Sequence, residues 1–150
     1  MLPDTIIADI QFEISQIEKE LSSYQSLFEL VQKRDPDLIE LTALGAVLHS
    51  FYTGFEKILY MVAKQIDKNI PGGYNWHKEL LFSSSKENSQ RKKIISSESY
   101  DLLLEYLSFR HFFRHAYDFN LKWSKLKNLI FNLRSIWGKL KKDILLFISD

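Results

Sequence analysis

The sequence predicts an all-α fold, an antiparallel up-and-down bundle of about four long helices plus one or two short ones. Only three prolines and five glycines punctuate its 150 residues. Between them, apolar residues recur at steps of three and four, the period of a helix with one buried face. Apolar types make up 45% of the chain, enough for one hydrophobic core, so residues 1–150 are expected to form a single domain.

In the first segment Ile6, Ile10, Ile14, Ile17, Leu21, Tyr24, Phe28 and Val31 keep this step, with acids between them, and predict one helix over roughly 4–33. The KRDPD run ends it. Asp35 before Pro36 reads as the start of the next helix, because proline at a first helical position lacks only a donor that would be unpaired anyway. That helix is expected to reach about Asn69, with Leu38, Leu41, Leu44, Leu48, Phe51, Phe55, Leu59, Val62 and Ile66 inward, until the PGG at 71–73 stops it. NWHKELLF is a short helical candidate, and the polar SSSKENSQRKK that follows reads as a loop or mobile segment. Helical patterning resumes near Ser97 and runs through Leu103, Tyr106, Phe109 and Phe113. Asp118 and Asn120 mark a break. Leu126, Leu129, Leu133, Ile136, Leu140, Ile144 and Phe147 define a last helix.

Twenty Lys and Arg against nineteen Asp and Glu leave no bulk field to recruit nucleic acid or membrane. Charge is divided along the chain, however. Residues 1–40 hold nine acids and three bases, and residues 121–150 hold seven bases and two acids. The plain expectation is an internal match between the two ends; the sharper one is that Lys122, Lys125 and Lys127 extend a positive surface. Absence of cysteine removes disulfides and thiolate zinc sites. The N-terminus carries acids where a signal peptide needs bases, and no window reads as apolar over the ~18 residues of a membrane span. A soluble cytoplasmic protein, with no membrane partner, is expected.

Chemistry concentrates at 110–119, RHFFRHAYDF. Histidine titrates near neutrality and can take a proton from a hydroxyl and return one to a leaving group. Arginine stays cationic and offers a planar fork of donors to phosphate oxygens. Together they are equipped to cut RNA without a metal, the ribose 2′-oxygen attacking the adjacent phosphorus. On an ideal helix Arg110 and His115 lie about 140° apart around the axis and about 7.5 Å along it. They do not share a face, so the helix deforms, arginine's length spans the gap, or a second copy completes the site. Arg110 and Tyr117 do share a face, as do His111 and His115. His111, His115 and Asp118 have helical spacing for part of a metal site, but no fourth ligand is evident, and none is assigned. Arg110 has a structural alternative in pairing with Glu105. His49 reads as core, His77 as local packing, and the three tryptophans as core or interface.

At these residues the chain resembles the HepT-like toxin branch of the HEPN superfamily. Arg110, four intervening residues, His115, Ala116 and Tyr117 match its Arg-x4-His-x-Tyr signature, and HSFYTGFEKIL at 49–59 and NWHKELL at 75–81 look like the corresponding upstream segments. The residue after the arginine departs from the superfamily's frequent Asn or Asp: it is His111. The resemblance implies a HEPN-type bundle, a homodimer with facing motifs, and a metal-independent endoribonuclease toxin that needs no cofactor and takes RNA as substrate. It implies Arg110 and His115 as catalytic. His111 and Arg114, beside them in the motif, are auxiliary candidates of the chain's own, and for His111 a catalytic part, a structural contact and no part all stay open. The resemblance further implies AMPylation of Tyr117 by a MntA-like nucleotidyltransferase antitoxin. The competing expectation is a non-catalytic helical partner or substrate-binding module of such a nucleotidyltransferase.

Overall fold

The computed structural model describes residues 2–115 and 120–149, and among these there are six α-helices and no strand. They are α1 (Asp4–Ser23), α2 (Gln25–Leu30), α3 (Leu38–Val62), α4 (Trp76–Ser84), α5 (Ser97–His115) and α6 (Trp123–Ile148). The all-helical bundle read from the sequence is what the chain adopts.

Helix α3 is the centre. It packs against α1, α4, α5 and α6, and Leu44, Val47, Leu48, Phe51, Phe55 and Ile58 are sealed from solvent along it. Burial on this scale, at roughly 1.5–3 kcal/mol per large apolar side chain, holds the bundle together. The segment Leu38–Asp67 is also long and apolar enough to cross a membrane by length and composition alone, which corrects the reading that no window is. Most of its apolar residues belong to the core shared with the neighbouring helices, while Leu38 and Ile39 at its start are exposed.

Two boundaries differ from the sequence reading. The first predicted helix breaks at Tyr24, whose ψ of 11° ends α1 and starts α2. Apolar spacing runs through this joint without a fault, so periodicity alone could not show it. Helix α3 begins at Leu38, not at Pro36, because Asp37 and Glu40 form a reciprocal capping box: Glu40 N–H donates to Asp37 Oδ1 at 2.8 Å and Asp37 N–H to Glu40 Oε1 at 2.9 Å. Arg34 adds a two-pronged ion pair to the same Glu40 at 2.8 and 2.9 Å. At its other end α3 loosens into a π-helical turn, Ala63–Asp67, and Lys68 in the left-handed region stops it.

The polar stretch before α5 is a tied-down loop. Arg91 makes a buried pair with Asp67 through Nε and Nη2, at 2.9 and 3.0 Å, while Ile94 and Ile95 are buried and donate backbone N–H groups to Ser84 O. Helix α4 is fastened to α3 by His77 Nδ1, 2.7 Å from the buried Glu56 Oε2, and the His77 ring stacks on Trp76 at 3.7 Å. The reading of His77 as local packing thus has a hydrogen-bonding partner behind it.

The divided charge is partly an internal match. Lys141 of α6 pairs with Glu18 of α1 at 2.7 Å, and this contact holds the Glu18 carboxyl below its ordinary range. Arg134 donates to Gln25 at 2.8 Å. The start of α6 behaves differently. Among the described residues, no acid pairs with Lys122, Lys125 or Lys127, and the last two lie over the rings of Phe112 and Phe131.

Candidate functional site

Helix α5 is held at both ends and in the middle. Ser96 Oγ accepts the Ser99 N–H at 3.1 Å, and Ser99 Oγ donates to Asp143 of α6 at 2.8 Å. Halfway along, the buried Tyr106 hydroxyl donates to Leu129 O at 2.7 Å, which fixes α5 against α6. At the C-terminal end Phe109 and Phe113 stack at 5.8 Å, and Phe113 lies over Gly45 of α3. A Cβ at Gly45 would stand 2.8 Å from the Phe113 ring and 3.3 Å from Leu121, so only glycine lets the end of α5 sit this close.

That seating aims the motif in two directions. Arg110 is half-buried towards α3, where its Nε donates to Thr53 Oγ1 at 3.3 Å. The alternative pairing with Glu105 is not made; Glu105 is exposed on another side of α5. His49 lies one turn before Thr53 on the same helix, its ring 5.4 Å from that of Phe113. The expectation of a core residue is corrected: His49 is half-buried, and its Nε2 is shielded without a hydrogen-bond partner among the described residues. Burial first, and then the charges of Arg110 and Arg114, hold its pKa below the usual histidine range. A neutral imidazole therefore flanks the fixed positive charge of Arg110.

The opposite side of α5 is cationic and open. His111 and His115 are both exposed, with ring centroids 4.9 Å apart. They line a cavity of about 580 Å³ with Ser108, Asn120, Lys122 and Lys125. Lys125 Nζ sits 5.3 Å from the Phe112 centroid, placing a cation at the rim. Arg110 and His115 thus do not converge within one chain; each faces its own set of neighbours. Arg114 is exposed. Tyr117 and Asp118 lie outside the described residues. Among the described residues, no three His, Asp or Glu side chains are grouped as metal ligands.

Over residues 43–150 the chain matches the family model described as HepT-like protein. The chain belongs to the HepT-like family of the HEPN superfamily. No curated protein and no solved structure matches it. The HepT-like segment takes in α3 from its second turn through α6, and so includes both walls of the motif helix; α1 and α2 lie before it. On this side of the site Gly45 and Thr53 were not singled out in the sequence, and His49 was read there only as core. Their steps of four place them on one face of α3, but nothing local tells which of that helix's faces meets Arg110.

Proposed function

We propose that this HepT-like protein is a metal-independent endoribonuclease toxin of a toxin-antitoxin pair, active as a homodimer in the cytoplasm. The observation that carries the reading is the opposed aim of the motif. One chain offers Arg110 beside α3 and an exposed histidine pair beside Lys122 and Lys125, two half-sites that a two-fold axis would join.

In the joined site His115 takes the proton of a ribose 2′-hydroxyl, and the 2′-oxygen forms a bond to the adjacent phosphorus. The bond from phosphorus to the 5′-oxygen breaks, and that oxygen leaves with a proton from an imidazolium, supplied by His111 or by His115 of the second copy. Arg110 stabilises the charge that accumulates on the phosphoryl oxygens. Products are a 2′,3′-cyclic phosphate and a 5′-hydroxyl. Lys122 and Lys125 hold neighbouring phosphates without reading sequence. A MntA-like nucleotidyltransferase would switch the enzyme off by placing AMP on Tyr117, where added phosphate occupies the cations and repels RNA.

The test is RNA cleavage by purified protein and its Arg110→Ala and His115→Ala variants. Each is expected to lower the rate by about 100-fold or more. Unchanged cleavage in both would overturn the enzyme assignment in favour of a non-catalytic module of the nucleotidyltransferase.

A further inference from the structure

Beside the histidine cavity, α5 and α6 flank a second, open one of about 500 Å³, and the two share Ser108, Phe112 and Lys125. The second differs in character. Its floor is apolar, from Leu104, Phe109 and Leu129, and its polar groups are few: Glu105 on α5 and Asn128 on α6, with Ser108 between the cavities. A mostly apolar hollow with a small number of placed polar groups is the usual form of a small-ligand site.

The order of residues along the two helices gives the hollow a direction. On α5 the series Glu105, Ser108, Phe112 and His115 steps by three and four along one side; on α6 Asn128, Lys125 and Lys122 run the other way. The cavity linings set Asn128 with Glu105 at one end and Lys122 with His115 at the other. On the other wall the chain runs about 9 Å from Asn128 to Lys122, the scale of the distance from a nucleobase edge to its phosphate. Lys125 and Phe112, in contact at 5.3 Å, stand between the ends. Tyr106 bonded to Leu129 O keeps the two walls at constant separation.

From this we infer that the hollow is a nucleobase subsite selecting guanine beside the cleaved phosphate. The inference rests on the ribonuclease reading. Guanine presents two adjacent donors, N1–H and the N2 amino group, and a carboxylate accepts such a pair in parallel. Glu105 is exposed and has no ion pair among the described residues, so its carboxylate is free to do so. Asn128 supplies an amide N–H for the O6 carbonyl. Adenine and uracil lack the donor pair, and cytosine has only its exocyclic amine along that edge. One face of the base lies against Phe112, above the apolar floor, and its 5′-side phosphate reaches Lys125 and Lys122.

Calorimetric titration of the purified protein with 5′-GMP, AMP, CMP and UMP tests the subsite without needing cleavage. GMP is expected to bind about tenfold more tightly than the others, and Glu105→Gln to remove that preference. Asn128→Asp, which puts a like charge against the O6 carbonyl, is expected to weaken GMP binding as well. Lys122→Ala should weaken all four nucleotides alike. Equal binding of the four, or a GMP preference that survives Glu105→Gln, would overturn the inference even if RNA is cut. A guanine preference lost in Glu105→Gln, in a protein that cuts no RNA, would support the subsite and sink the ribonuclease reading alone.

Discussion

Gly45 and Phe113 meet more closely than any residue bearing a Cβ at position 45 would allow. An added carbon would stand 2.8 Å from Cε1 of the ring, with Leu121 Cδ1 at 3.3 Å behind it. The ring has little room to retreat, because His49 and Phe109 flank it at 5.4 and 5.8 Å. This contact decides how α5 presents its last turn, and therefore where Arg110 and His115 point. Gly45→Ala is expected to lower stability on balance: overpacking costs about 1–3 kcal/mol, against a gain of about 1 kcal/mol from helix propensity. Urea denaturation measures the net effect. A midpoint at or above that of the parent protein would show that Phe113 yields freely.

Arg110 uses Nε on Thr53, which leaves the rest of the guanidinium fork for phosphate. Lysine keeps the charge but cannot make both contacts. Arg110→Lys should therefore cut RNA at least about tenfold more slowly while its circular dichroism stays that of the parent. A lysine variant with the parent's rate would mean that a point charge is sufficient there.

His49 predicts a pH dependence. Its pKa in the folded chain lies below that in the unfolded chain, chiefly through burial and then through Arg110 and Arg114. The unfolded state therefore binds the proton more readily. This contribution to stability is fully present above the unfolded value and is lost as pH falls from there to the folded one. Glu18, whose pKa is lowered by its hydrogen bond with Lys141, acts in a separate and more acid window. Between pH 7 and pH 5 the parent protein should lose stability and His49→Leu should lose less, as read from denaturant midpoints at each pH. Parallel curves for the two proteins would refute the assignment.

Tyr117 stands seven residues after Arg110, a spacing that on an ideal helix returns to the same face, and the HepT-like signature makes it the expected acceptor of AMP. Incubation with a MntA-like nucleotidyltransferase and ATP should add one or more AMP units to the parent protein and none to Tyr117→Phe, as intact mass would show. The modified protein should also lose RNA cleavage, because phosphate groups then compete for the cations of the motif. Equal modification of the Phe variant would place the acceptor elsewhere.

Much of the architecture was legible in the chain. The apolar steps of α3, α5 and α6 mostly end up buried, from Leu41 to Val62, from Leu103 to Phe109 and from Leu126 to Phe147, whereas Leu38, read as inward, is exposed and Ile66 and Phe113 are half-buried. The capping pair Asp37 and Glu40 was also present as an Asp-x-x-Glu pattern, overshadowed by the proline before it. The break at Tyr24 had no such signal, since apolar spacing continues through it from Leu21 to Phe28.

Sequence by itself determined that the chain is helical, that a cationic and histidine-rich turn lies at the end of α5, and that Arg110 and His115 do not share a face of an ideal helix. Each of these follows from local geometry, in which 3.6 residues make a turn whatever surrounds it. Which neighbours those side chains meet was decided only by tertiary packing. Thr53 comes to Arg110 from 57 residues away, and Lys122 and Lys125 come to His115 from the next helix. Such encounters depend on the fit of Gly45 to Phe113 and on the bond from Tyr106 to Leu129, and contacts between distant helices leave no periodic trace in either segment.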